Sequence, residues 1–270
     1  MQLTPIMKRS PVAINIHNSI ESTNWEGVKK NDSPFLCYEF FLSLEQSCVI
    51  GQGSGWNPLY LQEGDDSLLF SYIKEHSYGE YIFDWQWANF YKQNGLSYYP
   101  KLTSMIPFTS ATTSHFLGDK ADELMQSYEQ LYLNNDFSSS HFLFITDKER
   151  EFFKENDYHI RDSFQYHFTN EDYESFESFL KTMKSKKAKQ IRKERSFCEG
   201  VSFKRYTGDE LTKDHARQMY QFYLRTISNK DAISYLNEAF FTLVFSRLKD
   251  SIMYVEAKED DQPVAGAFYF

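Results

Sequence analysis

His76, Tyr78 and Glu80 alternate along one short stretch of the chain, and Asp84 follows four residues later. In extended backbone every second side chain points to the same face, so the first three can line a single wall. An imidazole, a phenol and two carboxylates are groups that move protons, and around them the chain crowds Tyr81, Trp85, Trp87 and the run Tyr98–Tyr99–Pro100–Lys101. Aromatic walls with a few placed polar groups are the make-up of ligand clefts. A lysine beside aromatic rings can grip a carboxylate or a phosphate. A plainer reading competes at each position. Tyr and Trp commonly bury a ring and hydrogen-bond its tip. Asp84 suits the N-cap of a helix opening at Trp85, His76 suits a structural imidazole, and Lys101 suits a solvated strand edge.

The elements that must position these residues read as a mixed α/β order. Pro11–Ile16 is expected as a strand. Ser33 and Pro34 open a helix running from Phe35 to about Cys48, with Leu36, Phe40, Phe41 and Leu44 as its apolar stripe. Pro58–Leu61 and Leu68–Ile73 form a hairpin through Glu63–Gly64–Asp65–Asp66. A helix follows Asp84 and stops at Gly95, and Tyr99–Phe108 reads as a strand. Helix Ala121–Leu133, strand His141–Ile145, a helix capped by Asp147 and a long strand His159–Phe168 complete the first half. The second half reads as helices Tyr173–Lys181, Ser185–Glu199, Asp209–Thr226 and Tyr235–Lys249, with strands Val201–Tyr206, Ile252–Ala257 and Pro263–Phe270.

Composition narrows the class. The 270 residues are 41% hydrophobic and 25% charged, which suits a globular chain of one large or two modest domains. No apolar run reaches the length of a membrane span, and no apolar stretch follows Lys8 and Arg9 to make a secretory signal, so a cytoplasmic location is expected. Cys37, Cys48 and Cys198 show neither disulfide nor metal-type spacing. No Gly-x-Ser-x-Gly elbow, His-Glu-x-x-His helix or Walker loop is present. Gly51-x-Gly53-x-Gly55 could cradle a phosphate, but it follows a helix instead of opening one, and a plain loop is the favoured reading. The formal net charge is −9, yet Lys181–Arg195 holds eight Lys or Arg and one Glu. An acidic body with one concentrated basic element points to a local anion site, set against the plain alternative of a solvated helix.

Several segments carry a resemblance: His76–Ser77–Tyr78–Gly79–Glu80–Tyr81 with Phe83–Asp84–Trp85, Tyr98–Tyr99–Pro100–Lys101, Ser139–Phe144, Phe164–Gln165–Tyr166–His167 and the basic run Lys186–Arg195. Together they resemble the FemAB-like family described as peptidoglycan biosynthesis/recognition proteins, whose members have the GNAT acyl-CoA N-acyltransferase fold. The resemblance implies an α/β chain with an α+β mixed sheet and two GNAT-like domains in tandem. These would be residues 1–170 and 171–270, the second incomplete because the chain stops inside a strand. It implies an acyltransferase that forms an amide on an amine of a peptidoglycan or cell-envelope precursor. The alternatives are a non-catalytic recognition protein and a CoA-dependent N-acetyltransferase on another small amine. The donor would be acyl-CoA or aminoacyl-tRNA, with no metal. The partner would be an anionic small molecule or muropeptide precursor, or tRNA, without membrane insertion. His76, Tyr78, Glu80 and Asp84 are then the candidates for base and acid. Trp85, Tyr99, Lys101, His141 and Gln165 would contact substrate, although His141, like His167, also suits a polar core position. By analogy with Fem-type enzymes, Lys189, Arg192 and Arg195 would face a diphosphate.

Overall fold

Trp56–Glu63 and Ser67–Lys74 are buried at nearly every position, as strands covered on both faces are. In the computed structural model, which describes residues 14–28, 33–82 and 84–270, they pair antiparallel from Trp56↔Lys74 to Glu63↔Ser67. In chain order the elements of the first half are β1 (Asn15–His17), α1 (Tyr38–Gln46), β2 (Trp56–Glu63), β3 (Ser67–Lys74), α2 (Trp85–Gln93), β4 (Lys101–Ser104), β5 (Phe116–Leu117), α3 (Ala121–Leu133), β6 (Ser140–Phe142) and α4 (Asp147–Glu155). The second half holds α5 (Phe176–Lys181), α6 (Ser185–Ser196), β7 (Ser202–Thr207), α7 (Lys213–Asn229), α8 (Glu238–Arg247), β8 (Met253–Glu259) and β9 (Gln262–Tyr269).

Two sheets result. The first is ordered β1-β2-β3-β4-β6, with β5 pairing the far end of β3. It is antiparallel except for the parallel step from β4 to β6. The second is the antiparallel trio β7-β8-β9. This is the mixed α+β architecture expected from the element order.

Side-chain alternation divides the first sheet into two faces. Leu59, Leu61, Leu69 and Leu102 pack under Leu124, Met125 and Tyr128 of α3 and Phe153 of α4. Trp56, Tyr60, Phe70 and Tyr72 point the other way, against Phe40, Phe41 and Leu44 of α1. That second core does not stop at the sheet, because Phe240, Phe241, Val244 and Phe245 of α8 belong to it, as do Tyr206 and Tyr254 of the second sheet. Each fully buried ring or branched chain contributes roughly 1.5–3 kcal/mol, so the shared core is a major bond between the halves. Polar straps reinforce it. Asn237 caps α8 by accepting from the Phe240 amide (2.9 Å), and its Nδ2 donates to the Ser47 carbonyl at the end of α1 (2.7 Å). Arg247 donates to Gln46 Oε1 (2.5 Å).

Several expectations are corrected. The expected strand Pro11–Ile16 lies partly outside the described residues, and β1 is seen from Asn15. Pro34–Leu36 forms one turn of 3-10 helix, and α1 proper begins only at Tyr38. The cap of α4 is Thr146, not Asp147: its hydroxyl accepts from the Glu149 amide while the Glu149 carboxylate returns to the Thr146 amide. A reciprocal box satisfies two orphan donors where Asp147 would satisfy one. Residues 159–168 are not a strand, since alternation alone cannot supply a neighbouring edge to pair with. The segment runs over the surface without regular structure, with Phe164 91% exposed, and is held by Arg150–Asp162 and by Gln165. β4 and β6 are shorter than expected, and the helix expected over Ser185–Glu199 ends at Ser196, which leaves Cys198 exposed beyond it.

Candidate functional site

The register of β3 against β4 sets Lys74 directly opposite Lys101 on one face of the sheet. Both side chains are at most 1% exposed. Two ammonium groups side by side in a protein interior need compensating charge. The loop between them supplies it. Leaving β3 at Lys74, the chain runs through Glu75–Tyr81, enters α2 at Asp84 and Trp85, and returns through Tyr98 and Tyr99 to Lys101. Gly79 takes φ +81 on the way, and a Cβ there would lie 2.7 Å from the Phe108 ring. That turn folds Glu80 back under the loop, where it is buried like the lysines.

Lys101 Nζ donates to Ser77 Oγ (2.8 Å), Glu80 Oε2 (2.8 Å) and Asp84 Oδ2 (2.7 Å), using all three of its protons. Asp84 Oδ2 also accepts from Ser77 Oγ and from the Tyr98 hydroxyl, each at 2.8 Å. Ser77 has a single proton, spent on Asp84, so the Tyr99 hydroxyl at 2.8 Å donates to Ser77. Lys74 Nζ stands 3.3 Å from the centre of the Trp56 ring and 3.8 Å from Glu80 Oε1. The result is a buried quartet of two lysines and two carboxyl groups, closed by three hydroxyls. Asp84 does sit at the N-cap position of α2, but its carboxylate turns inward to Lys101 and caps nothing.

The electrostatics pull the two carboxylates apart. Burial pushes Glu80 up, and the opposing charges of Lys101 and Lys74 do not cancel it. Burial also pushes Asp84 up, but the hydrogen bond and charge of Lys101, with those of Tyr98 and Ser77, hold it below the ordinary aspartate range. Lys74 falls to about 6, because burial and the charge of Lys101 outweigh Glu80. Tyr98 and Tyr99 are both raised, chiefly by burial.

Around this centre the other expected residues scatter. His76 bonds the Ser54 carbonyl through Nε2 (3.0 Å), which places its proton there and leaves Nδ1 buried without a partner. Burial and the charge of Lys74 push it below the ordinary histidine range. The glycine-rich segment 51–55 is therefore a tight loop that anchors His76. Tyr78 and Trp85, in the same loop, stand with rings 5.2 Å apart, each roughly two-fifths exposed. His141 lies opposite Thr103 on β6, bonds Ser139 Oγ (2.8 Å), and is pushed down to about 4 by burial and by Lys101. Lys101 belongs to the quartet itself, and Tyr99 closes it through Ser77. Gln165 does not: it donates to the Ser110 carbonyl (2.5 Å) and pins the 159–168 segment. On α6, Arg192 pairs with Glu177 (2.7 Å) and Arg195 lies over the Phe176 ring, while Lys189 is exposed. No described contact joins α6 to the quartet.

The residues that sequence reasoning missed are Lys74, Ser77 and Tyr98. A signal existed for Lys74, since it continues the period-two face of Phe70 and Tyr72. A second buried pair was also missed, His115 Nδ1 with Glu149 Oε2 (3.3 Å), which ties the N-terminus of α4 beneath the sheet. A concavity of about 700 Å³ is lined by Thr23, Asn24, Tyr38 and Ser251 among others and shares no residue with the quartet. Among the described residues no group of three or more His, Cys, Asp or Glu is placed to hold a metal, and no helix is long and apolar enough to cross a membrane.

Such an arrangement can hold one carboxylate ionised and make another readier to take a proton. No curated protein and no solved structure matches the chain. A family model described as FemAB-like, peptidoglycan biosynthesis/recognition, matches residues 16–270, nearly the whole length and every residue of the quartet. The chain belongs to the FemAB-like family of peptidoglycan biosynthesis and recognition.

Proposed function

We propose that the protein is an N-acyltransferase that forms an amide on an amine of a peptidoglycan or cell-envelope precursor. The observation that carries the reading is the split between the two carboxylates. Where neighbouring acids are driven to opposite sides of their ordinary range, one is suited to proton transfer and the other to fixed charge. Glu80, raised by burial, is the group to take the proton that an attacking amine loses. Asp84, held ionised, fixes Lys101 and through it Glu80 and Ser77. In the reaction the amine nitrogen bonds to the acyl carbon of a thioester or ester, and the tetrahedral intermediate expels the thiolate or alkoxide. The amine proton passes to Glu80 and then to the leaving group. Tyr78 and Trp85 form the exposed rim over which the amine enters, and a cationic amine is attracted to such ring faces. The donor, acyl-CoA or aminoacyl-tRNA, and the anionic or muropeptide partner belong to this proposal, as does a cytoplasmic site of action.

One observation favours a second reading. Lys74, Lys101 and Glu80 are closed from solvent, as a scaffold would be, while the exposed rings of Tyr78 and Trp85 are suited to binding. This describes a recognition protein without catalysis. Transfer of label from an acyl-CoA or aminoacyl-tRNA to a muropeptide amine separates the two. Transfer that disappears in Glu80→Gln supports the enzyme. Binding of the muropeptide with no transfer from either donor supports recognition.

A further inference from the structure

Helix α6 presents a face that nothing else among the described residues answers. Its inner side is occupied: Ala188 is buried, Arg192 grips Glu177, and Arg195 covers Phe176. Lys186, Lys189 and Lys193, at i, i+3 and i+7, share the opposite side, and Phe197 continues the same stripe at i+11. Among the described residues none of the three lysine side chains has a hydrogen-bond or ion-pair partner, and the Phe197 ring is 74% exposed. At 1.5 Å per residue the stripe runs about 16 Å.

We propose that this face lays α6 on an anionic phospholipid bilayer, with the three ammonium groups among the lipid phosphates and the Phe197 ring in the interface. Charge complementarity carries the choice of partner. The 12 residues of α6 hold +5 within a chain of −9, so the remaining surface is −14 and is repelled by any anionic plane. Only an approach with α6 foremost is attractive. The residue types favour a diffuse negative surface over a fixed phosphate array. The arginine forks, which grip discrete phosphates bidentately, are already engaged by Glu177 and the Phe176 ring, and the unpartnered charges of the opposite face are lysines, which act as point charges. The stripe also ends in a ring with no polar tip, which gains from leaving water at an acyl boundary. The proposal is independent of the chemistry assigned to the quartet.

Sedimentation with vesicles tests it. The 270-residue chain should bind vesicles of phosphatidylcholine with about 30% phosphatidylglycerol, lose that binding in high salt, and ignore pure phosphatidylcholine. A lysine near an anionic surface is worth about fivefold, so the triple variant K186Q/K189Q/K193Q should bind about 100-fold more weakly. Phe197→Ala should cost about tenfold more than charge alone explains. All four positions are exposed, so unchanged circular dichroism is expected of the variants. Absence of binding to the anionic vesicles, equal binding to neutral ones, or full binding by the lysine variant overturns the proposal. Tighter binding of an RNA oligomer than of the vesicles at matched salt overturns it too, and hands the face to nucleic acid.

Discussion

Lys101→Met is the sharpest perturbation of the quartet. Methionine nearly matches the lysine stem in volume, so no large cavity opens, and the loss is electrostatic. Three charge-assisted hydrogen bonds of 2.7–2.8 Å disappear together, leaving Glu80 and Asp84 buried without their shared cation. Breaking one side of a buried ion pair costs about 3–5 kcal/mol, because the stranded charge keeps its desolvation penalty. For a chain of this size that corresponds to a fall in melting temperature of about 10 °C. Urea unfolding followed by circular dichroism at pH 7 gives the free energy directly. The double variant K101M/D84N supplies the control. With one stranded anion neutralised, the pair should recover about 1–3 kcal/mol relative to the sum of the single changes. A Lys101→Met protein within about 1 kcal/mol of wild type would refute the reasoning, since it would mean that Glu80 and Asp84 find water or a proton without penalty.

Three further outcomes are expected. Lys74 ionises at about 6 in the fold against an ordinary 10.5, so the unfolded chain binds more protons across that window and wild-type stability should climb as pH rises through it; Lys74→Met should flatten that climb, and parallel curves from pH 6.5 to 9.5 would count against the assignment. Burial raises Glu149, but hydrogen bonds from His115 and its charge hold the carboxyl below its ordinary value, so its stabilisation is present above that value and drains away as pH falls through the folded one. Glu149→Gln should therefore cost about 1–3 kcal/mol at pH 7 and lose part of the acid limb of the melting curve. Gly79→Ala forces a side chain into φ +81 against the Phe108 ring and should cost about 1–3 kcal/mol in thermal melts, whereas a neutral result would mean that the signature loop shifts freely.

The hairpin β2-β3 was readable because two apolar runs flanked Glu63–Gly64–Asp65–Asp66, a pattern with few other solutions. The signature loop was readable as a site from residue types, and Glu80, Asp84, Tyr99 and Lys101 do meet. Lys74 was readable only as a member of the Phe70 and Tyr72 face, because a lysine at a strand end is solvated by default and only the strand register puts it beside Lys101. The role of Asp84 was divided for a similar reason. A cap needs only local sequence, whereas an ion pair with a residue 17 positions later needs the tertiary fold. The 159–168 segment misled because period-two alternation describes one strand and says nothing about a neighbour. On α6 the helical angles alone separate the inward Arg192 and Arg195 from the outward Lys189, a distinction that counting charges erased.

The straps between α8 and α1 carry a consequence for how the chain is born. Asn237 meets Ser47, and Arg247 meets Gln46, across sequence separations of 190 and 201 residues. On a ribosome adding about 5–20 residues per second, α1 must wait on the order of ten to forty seconds before α8 emerges. Through that interval Phe40 and neighbouring aromatic groups of α1 are only half covered. The nascent N-terminal portion is thus an open apolar surface in search of a lid, the kind of intermediate on which chaperones act. A slow codon run placed between the two helices should lengthen that exposure and lower soluble yield, with no change in the finished protein.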